Sequence, residues 1–250
     1  MRYALKIAYD GTYFCGWQVQ PNQTTVQGEL ERALSEAFGV RAKICGSGRT
    51  DSGVHAAGQI AHVDLPVNIP GEKLADALNA RLPEGVSVLS SCIAPDDFDA
   101  NRSAKRKTYC FNLYISPRRN PLLDRFAVRV DGSPDISTMR EAAELFLGGH
   151  DFKAYCASGS NVKTTVRTIY SLDVLKEGEM IKIYACGNGF LYNMVRTIAG
   201  TLLWYAYGKI TRGDIIASLE KGDRSLVGKT LPPNGLVLES VEYGEGLLNL

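Results

Sequence analysis

The sequence predicts an α+β protein whose mainly antiparallel sheet is covered by helices on one face. Short segments with an apolar residue at every second position, typical of half-buried strands, alternate with segments of helical apolar spacing. The order of strand, helix and strand recurs in both halves of the chain. A polar, basic stretch near residues 100–106 predicts the seam between an N-terminal half, residues 1–104, and a C-terminal half, residues 105–250.

In the N-terminal half, the alternating segment 3–9 predicts the first strand. Thr24 and Gln27 form a candidate capping box for the first helix, which Gly39 ends. The remaining elements follow in order: a short strand over 42–45, a glycine-rich loop, a strand over 59–65, a helix over 71–82 and a strand over 85–94.

The C-terminal half begins with a strand over 107–116, in which Tyr109 shares a face with Phe111 and Leu113. Three helices and a hairpin follow. We expect Asp135 to cap the first of these helices, Gly148 and Gly149 to end it, and the hairpin to turn at Glu177 and Gly178. A long helix is predicted to begin at Asn188, and a short helix to be capped by Thr211. The final strand is predicted over 235–243.

Composition limits the classes of protein. With 250 residues, 45% of them hydrophobic, the chain can bury one large core or two ordinary ones. Its six scattered cysteines lack C-x-x-C spacing, which predicts reduced thiols and no zinc site. The charged N-terminus lacks an apolar signal region, and polar residues interrupt the most apolar stretch. We therefore expect a cytoplasmic protein without a membrane segment. The net charge of +1 excludes a globally basic nucleic-acid binder.

The run "GSGRTDSGVHAAG", residues 46–58, is the leading candidate for a functional loop. Asp51 is the candidate catalytic group, because Arg49 two residues earlier would favour an ionised carboxylate, which suits a nucleophile or general base. The triplet at 51–53 also matches aspartic proteases, but no second triplet supplies the required partner. The run lacks the last glycine of a dinucleotide loop and the lysine of a P-loop. A surface turn is the simplest alternative.

A basic segment precedes Tyr109. Such a run is often a solvated face, but it is also the pattern of a track for a phosphate backbone. An aromatic side chain beside cations is the arrangement that binds single-stranded nucleic acid. On the long helix, Arg196 lies opposite the apolar stripe, so it either faces solvent or brings a second guanidinium to Asp51. The cations of the basic segment are Arg102, Lys105, Arg106 and Lys107.

Seven short motifs, which include the Asp51 run and the basic segment, are distributed from the first strand to the last. They are "FCGWQVQP" (14–21), "GSGRTDSGVHA" (46–56), "LNARLPEGVSV" (78–88), "FDANRSAKRKTY" (98–109), "GGHDF" (148–152), "GFLYNMVRTIAG" (189–200) and "LPPNGLVLESVEY" (231–243). In this order they resemble the successive motifs of the tRNA pseudouridine synthase I family. One departure is that Arg102 lies one position later than the arginine of the R-x-S-A pattern of many members.

The resemblance implies an isomerase that converts uridine to pseudouridine in the anticodon stem-loop of tRNA, at positions 38, 39 and 40, with no metal and no organic cofactor. It implies two ferredoxin-like halves that share one sheet, an active cleft between them, and a homodimer. By position in the motifs, Asp51 would be the nucleophile and Arg196 its partner. Arg49 would fill the stack that the base leaves, and Tyr109 would lie against the target uracil.

A different class of function is compatible with the same scaffold, namely an RNA-binding module or tRNA chaperone without catalysis. Asp51 argues against it, because a carboxylate close to phosphates repels RNA and binding alone does not need one. We therefore expect a catalytic protein.

Overall fold

The computed structural model describes residues 1–157, 159 and 162–250. Over these residues the fold is α+β, with ten strands in a mainly antiparallel sheet and five α-helices. The predicted fold class is therefore confirmed. The strands are β1 (Arg2–Tyr9), β2 (Cys45–Gly46), β3 (His55–Asp64), β4 (Val86–Ile93), β5 (Arg106–Ile115), β6 (Val128–Val130), β7 (Gly148–Asp151), β8 (Val166–Glu177), β9 (Met180–Gly187) and β10 (Leu236–Glu242). The helices are α1 (Val26–Phe38), α2 (Lys73–Asn79), α3 (Ile136–Glu144), α4 (Met194–Ala206) and α5 (Arg212–Lys221).

The chain forms two compact units whose boundary differs from the predicted one. The first unit contains residues 1–107 and 237–250, and the second contains residues 108–236. The C-terminal segment returns to the first unit because β10 pairs in parallel with β3, with Val237 opposite His55. Parallel neighbours far apart in sequence carry no local turn signal, so a division read along the chain misses this return.

The first unit has the strand order β4-β1-β3-β10, with β2 beside β3. Helix α2 contacts β4 and α1 contacts α2. Thr25, rather than the predicted Thr24, caps α1 by accepting the Gly28 N–H at 3.2 Å. The predicted capping box does not form, because the buried Gln27 side chain bonds to Glu31 and to the backbone of Val19 instead. Gly39 ends α1 as predicted, at φ 66°.

The second unit has the strand order β5-β9-β8-β7, with β6 beside β5. The β8–β9 hairpin turns at Gly178, and Asp135 caps α3 by accepting the Ser137 N–H at 2.9 Å, both as predicted. Helix α4 begins at Met194 rather than near Asn188, because the backbone at Asn193 is left-handed, at φ 63°. Gly148 opens β7 instead of closing α3.

Within the described residues, no helix is both long and apolar enough to cross a membrane. Over the same ranges, no three His, Cys, Asp or Glu side chains lie together in a way that could hold a metal ion. The six cysteines are free thiols.

Candidate active site

The loop between β2 and β3, residues 47–54, is called the Asp51 loop. Its residues alternate in exposure: Arg49 is exposed, Thr50 is buried and Asp51 is half-buried. The Asp51 carbonyl accepts the Val54 N–H at 3.1 Å, and Gly53 adopts φ 80° within this turn. The chain therefore reverses directly after Asp51, which fixes where its side chain leaves the backbone.

A second segment of the first unit presses against the Asp51 loop. The backbone N–H of Trp17 donates to the Thr50 carbonyl at 3.1 Å. A Cβ at Gly16, which has φ 83°, would lie 2.6 Å from that same carbonyl oxygen. A Cβ at Gly46 would lie 2.6 Å from the Trp17 ring. Only glycine permits both approaches, so the glycines of the two segments allow the loop to be packed tightly.

Buried polar side chains fix the start of the Asp51 loop from inside the first unit. The Ser47 hydroxyl donates to Gln59 Oε1 at 2.5 Å, and Gln59 Nε2 donates to the Gly48 carbonyl at 2.9 Å. The hydroxyls of Tyr9 and Thr50 lie 2.7 Å apart. Burial raises the pKa of Tyr9 to about 12, against hydrogen bonds to Thr50 and Gln59 that lower it. The phenol is therefore neutral at physiological pH and acts as a hydrogen-bonding group.

Two histidines of the first unit have structural partners. The backbone N–H of Gly11 donates to His55 Nδ1 at 3.0 Å, directly after the Asp51 loop. The backbone N–H of Ala100 donates to His62 Nδ1 at 3.1 Å. Burial lowers the pKa of His62, with the Arg2 charge acting in the same direction, so its ring is neutral and can accept this bond. His62 is thus a packing and hydrogen-bonding residue, as its place in a strand indicates.

The four cations of the basic segment divide into two kinds. Arg102, Lys105 and Arg106 are exposed, whereas Lys107 is half-buried. Lys107 Nζ donates to the Ser47 carbonyl at 2.5 Å and to Asn101 Oδ1 at 3.0 Å. The segment therefore offers exposed positive charge and also contacts the Asp51 loop.

In the second unit, Tyr109 lies on β5 with 8% of its surface exposed. Its ring meets the ring of Phe190 edge to face, with centroids 5.2 Å apart and planes at 82°. Such an arrangement is favourable for aromatic pairs and holds the Tyr109 ring in one orientation.

Arg196 lies in the first turn of α4, and its guanidinium is oriented by groups of the second unit. Nε donates to the Leu231 carbonyl at 2.7 Å, and Nη1 donates to Asn193 Oδ1 at 2.6 Å. The left-handed Asn193 places its amide directly before the helix. Two fixed acceptors therefore set the plane of the Arg196 guanidinium group.

Comparison with known proteins identifies the family of this chain. The family described as tRNA pseudouridine synthase matches residues 6–101 and 142–244. The chain belongs to the tRNA pseudouridine synthase family. It is similar to the "tRNA pseudouridine synthase A" of Caldicellulosiruptor bescii, with 44% identity over 96% of this chain and 98% of that protein. The proteins of the same name from Bacillus velezensis and Bacillus subtilis are 45% and 44% identical, each over 97% of this chain and 99% of theirs.

The predicted site residues of this synthase-family chain fall in both units. Arg49 and Asp51 lie in the first unit and within the first matched range, and Arg196 lies in the second unit and within the second range. Tyr109 lies in the second unit, and the cations of the basic segment lie in the first unit. All of them fall between the two matched ranges in sequence. The pairing of Asp51 with Arg196 and the roles of Arg49 and Tyr109 remain predictions.

Sequence reasoning missed the residues that hold the Asp51 loop, above all Gln59, Tyr9 and the loop-facing role of Lys107. A weak signal exists for Gln59, a polar residue flanked by apolar ones in a strand. The signal for Lys107 is its spacing. Alternate residues of a strand share a face, so Lys107 lies on the same face of β5 as Tyr109 and Phe111.

Proposed function

We propose that this chain isomerises uridine to pseudouridine in the anticodon stem-loop of tRNA, at positions 38, 39 and 40, with Asp51 as the nucleophile and without a cofactor. Membership of the tRNA pseudouridine synthase family supports the reaction class. The observation that carries the residue assignment is the half-buried Asp51 on a loop whose backbone carbonyls at Ser47, Gly48, Thr50 and Asp51 all accept hydrogen bonds. A nucleophile has to be positioned accurately against the atom that it attacks, and a carboxylate on a fixed loop meets this requirement.

The reaction needs few groups from the protein. The bond between N1 of uracil and C1′ of ribose breaks, and a bond between C5 and C1′ forms. C5 loses its proton and N1 gains one, so nothing is oxidised and no water is consumed. One carboxylate is sufficient, whether it attacks C1′, attacks C6 of the ring, or removes a sugar proton to give a glycal.

The target base has to leave the stack before the carboxylate reaches it, which costs a few kcal/mol. In the proposal, Arg49 takes the place of the base and the Tyr109 ring lies against the extruded uracil. The exposure of Arg49 and the fixed ring of Tyr109 suit these roles. Arg196, whose fork is oriented by two acceptors, is proposed to stabilise the charged form of Asp51.

The proposed partner is tRNA, held through its phosphates by the exposed cations Arg102, Lys105 and Arg106.

The proposed assembly is a homodimer. Sedimentation equilibrium should therefore return twice the mass of one chain, and a mass of one chain at micromolar concentration would contradict the dimer.

The test of function replaces Asp51 by asparagine, which keeps the shape of the side chain and removes its charge. We expect release of tritium from tRNA labelled at uracil C5 to be abolished, while tRNA binding persists or tightens because a negative charge is lost. Asp64→Asn is the matched control. Asp64 is an exposed carboxylate at the end of β3 that pairs with Arg2 at 2.7 Å, away from the Asp51 loop. It should keep turnover.

Tritium release by Asp51→Asn at the rate of the unchanged protein would refute the nucleophile assignment. Tight tRNA binding without tritium release from the unchanged protein would instead identify an RNA-binding module.

A further inference from the structure

Lys107 joins the basic segment to the Asp51 loop. Its ammonium donates to the Ser47 carbonyl at 2.5 Å, a contact between residues 60 positions apart in the chain. A second bond to Asn101 Oδ1, at 3.0 Å, directs the ammonium toward that carbonyl. Hydrogen bonds from a charged donor are about twice as strong as those between neutral groups. The Ser47 carbonyl is therefore held firmly from the side of the basic segment.

Gln59, on β3, holds the next carbonyl along the chain. Its side chain is fully buried, accepts the Ser47 hydroxyl and donates to the Gly48 carbonyl at 2.9 Å. Two consecutive carbonyls directly before Arg49 are thus fixed by side chains from different elements. A displacement of about 1 Å in an active site can reduce the rate by about 100-fold. The backbone at Ser47 and Gly48 therefore matters to the side chains that follow it.

We infer that Lys107 is a positioning residue for the Asp51 loop and not a contact to the RNA backbone; the inference rests on the proposed function. Successive side chains of β5 point to opposite faces, which agrees with an exposed Arg106 and a half-buried Lys107. To bind a phosphate, Lys107 would have to give up the Ser47 carbonyl and the Asn101 amide oxygen. The exposed Lys105 has no such side-chain bonds to lose among the contacts of the described residues.

The experiment compares Lys107→Met, Lys107→Arg and Lys105→Met in the full-length protein. The rate constant of a single turnover is measured at saturating enzyme, and the tRNA dissociation constant is measured across a range of salt concentrations. Lys107→Met should lower the rate by roughly tenfold or more and leave the salt dependence of binding unchanged. Lys107→Arg keeps a charged donor and should recover most of the rate. Lys105→Met should weaken binding and flatten the slope of log affinity against log salt by about 0.7 to 0.9.

The inference is overturned if Lys107→Met flattens the salt slope as Lys105→Met does and keeps its rate at saturation. It is also overturned if Lys107→Met and Lys107→Arg are equally slow, or if neither is slow. Should circular dichroism show that Lys107→Met does not fold, Asn101→Ala decides. That change removes one acceptor of Lys107 from an exposed residue, and it should lower the rate with no change in salt slope. An unchanged rate for Asn101→Ala would then refute the role of Lys107.

Failure of the proposed function gives a different result. Turnover by Asp51→Asn would refute the nucleophile, whatever the Lys107 variants do. An inactive Asp51→Asn together with a fully active Lys107→Met would refute only the positioning role.

Discussion

At the scale of single residues, the proposed site combines charged groups with side chains that have one fixed orientation. Tyr109 shows this most clearly, because it is nearly buried and its ring is held edge to face by Phe190. A ring that cannot rotate freely loses little conformational freedom when a base packs against it. Its contribution should therefore come from the aromatic surface.

We predict that Tyr109→Leu is far more damaging than Tyr109→Phe. Base–aromatic stacking contributes about 1 to 3 kcal/mol per base, so loss of the ring should lower the single-turnover rate by about 5- to 150-fold. Phenylalanine keeps the ring and its contact with Phe190 and should lose less. Tritium release at saturating enzyme measures the effect, with thermal unfolding of both variants as the control for folding. Equal rates for the two variants would contradict the stacking role.

The residues that could be predicted from the sequence are those whose role is expressed locally. Asp51 is recognisable because glycines and an arginine surround it within a few positions. Gln59 and Lys107 act on the same loop from 12 and 60 residues away, through bonds that only the folded chain creates. The candidate catalytic group could therefore be proposed from the sequence, whereas the groups that hold its loop could not.

At the scale of elements, the position of α4 determines where Arg196 points. A Cβ at Gly200 would lie 1.8 Å from the Lys229 carbonyl oxygen, and a Cβ at Gly228 would lie 2.4 Å from the Gly200 carbonyl oxygen. The segment 228–231 therefore lies directly on the helix backbone, and it presents the Leu231 carbonyl that accepts the bond from Arg196 Nε. Close packing of backbone on backbone sets the orientation of the guanidinium.

We predict that Gly200→Ala destabilises the protein and lowers turnover together. The added methyl group meets backbone that cannot move aside, and overpacking of this kind costs typically about 1 to 3 kcal/mol. The matched control is Gly213→Ala in α5, where the nearest non-neighbouring atom is Thr211 Oγ1, at 3.6 Å. Alanine there should stabilise the helix by about 0.5 to 1 kcal/mol. Urea unfolding and single-turnover rates test the pair, and the same response from both variants would contradict the close contact.

Helix ends marked by short-range signals were predictable, and ends set by an unusual backbone were not. Asp135, Thr211 and Gly39 act as caps through bonds to residues at most four positions away, so the sequence indicates them directly. The start of α4 depends on a left-handed Asn193, which nothing in the neighbouring sequence requires. The strand β6 has three residues and β7 has four, too few for an alternating pattern to stand out.

At the scale of the whole molecule, the C-terminal residues complete the first unit. A Cβ at Gly58 on β3 would lie 2.4 Å from the Glu239 carbonyl oxygen, so β10 approaches β3 very closely. The Tyr243 hydroxyl donates to the Ala100 carbonyl at 2.6 Å, and the leucines of the C-terminal tail pack against the cluster around Phe98. The end of the chain therefore stabilises the unit that carries the Asp51 loop.

This division of the chain predicts which strands respond when one tyrosine hydroxyl is removed from each unit. Tyr243→Phe leaves the Ala100 carbonyl without its bond, and Tyr155→Phe removes a 2.8 Å bond to the Ser218 hydroxyl in the second unit. Each change should cost about 1 kcal/mol. Because amide exchange reports local opening, Tyr243→Phe should speed exchange mainly in β1 and β3, and Tyr155→Phe mainly in α5 and β8. A larger effect of Tyr243→Phe on β8 and β9 would show that the C-terminal strand belongs energetically to the second half, as the linear division at residue 104 implies. Equal acceleration in β1, β3, β8 and α5 would show that the chain opens as one cooperative unit.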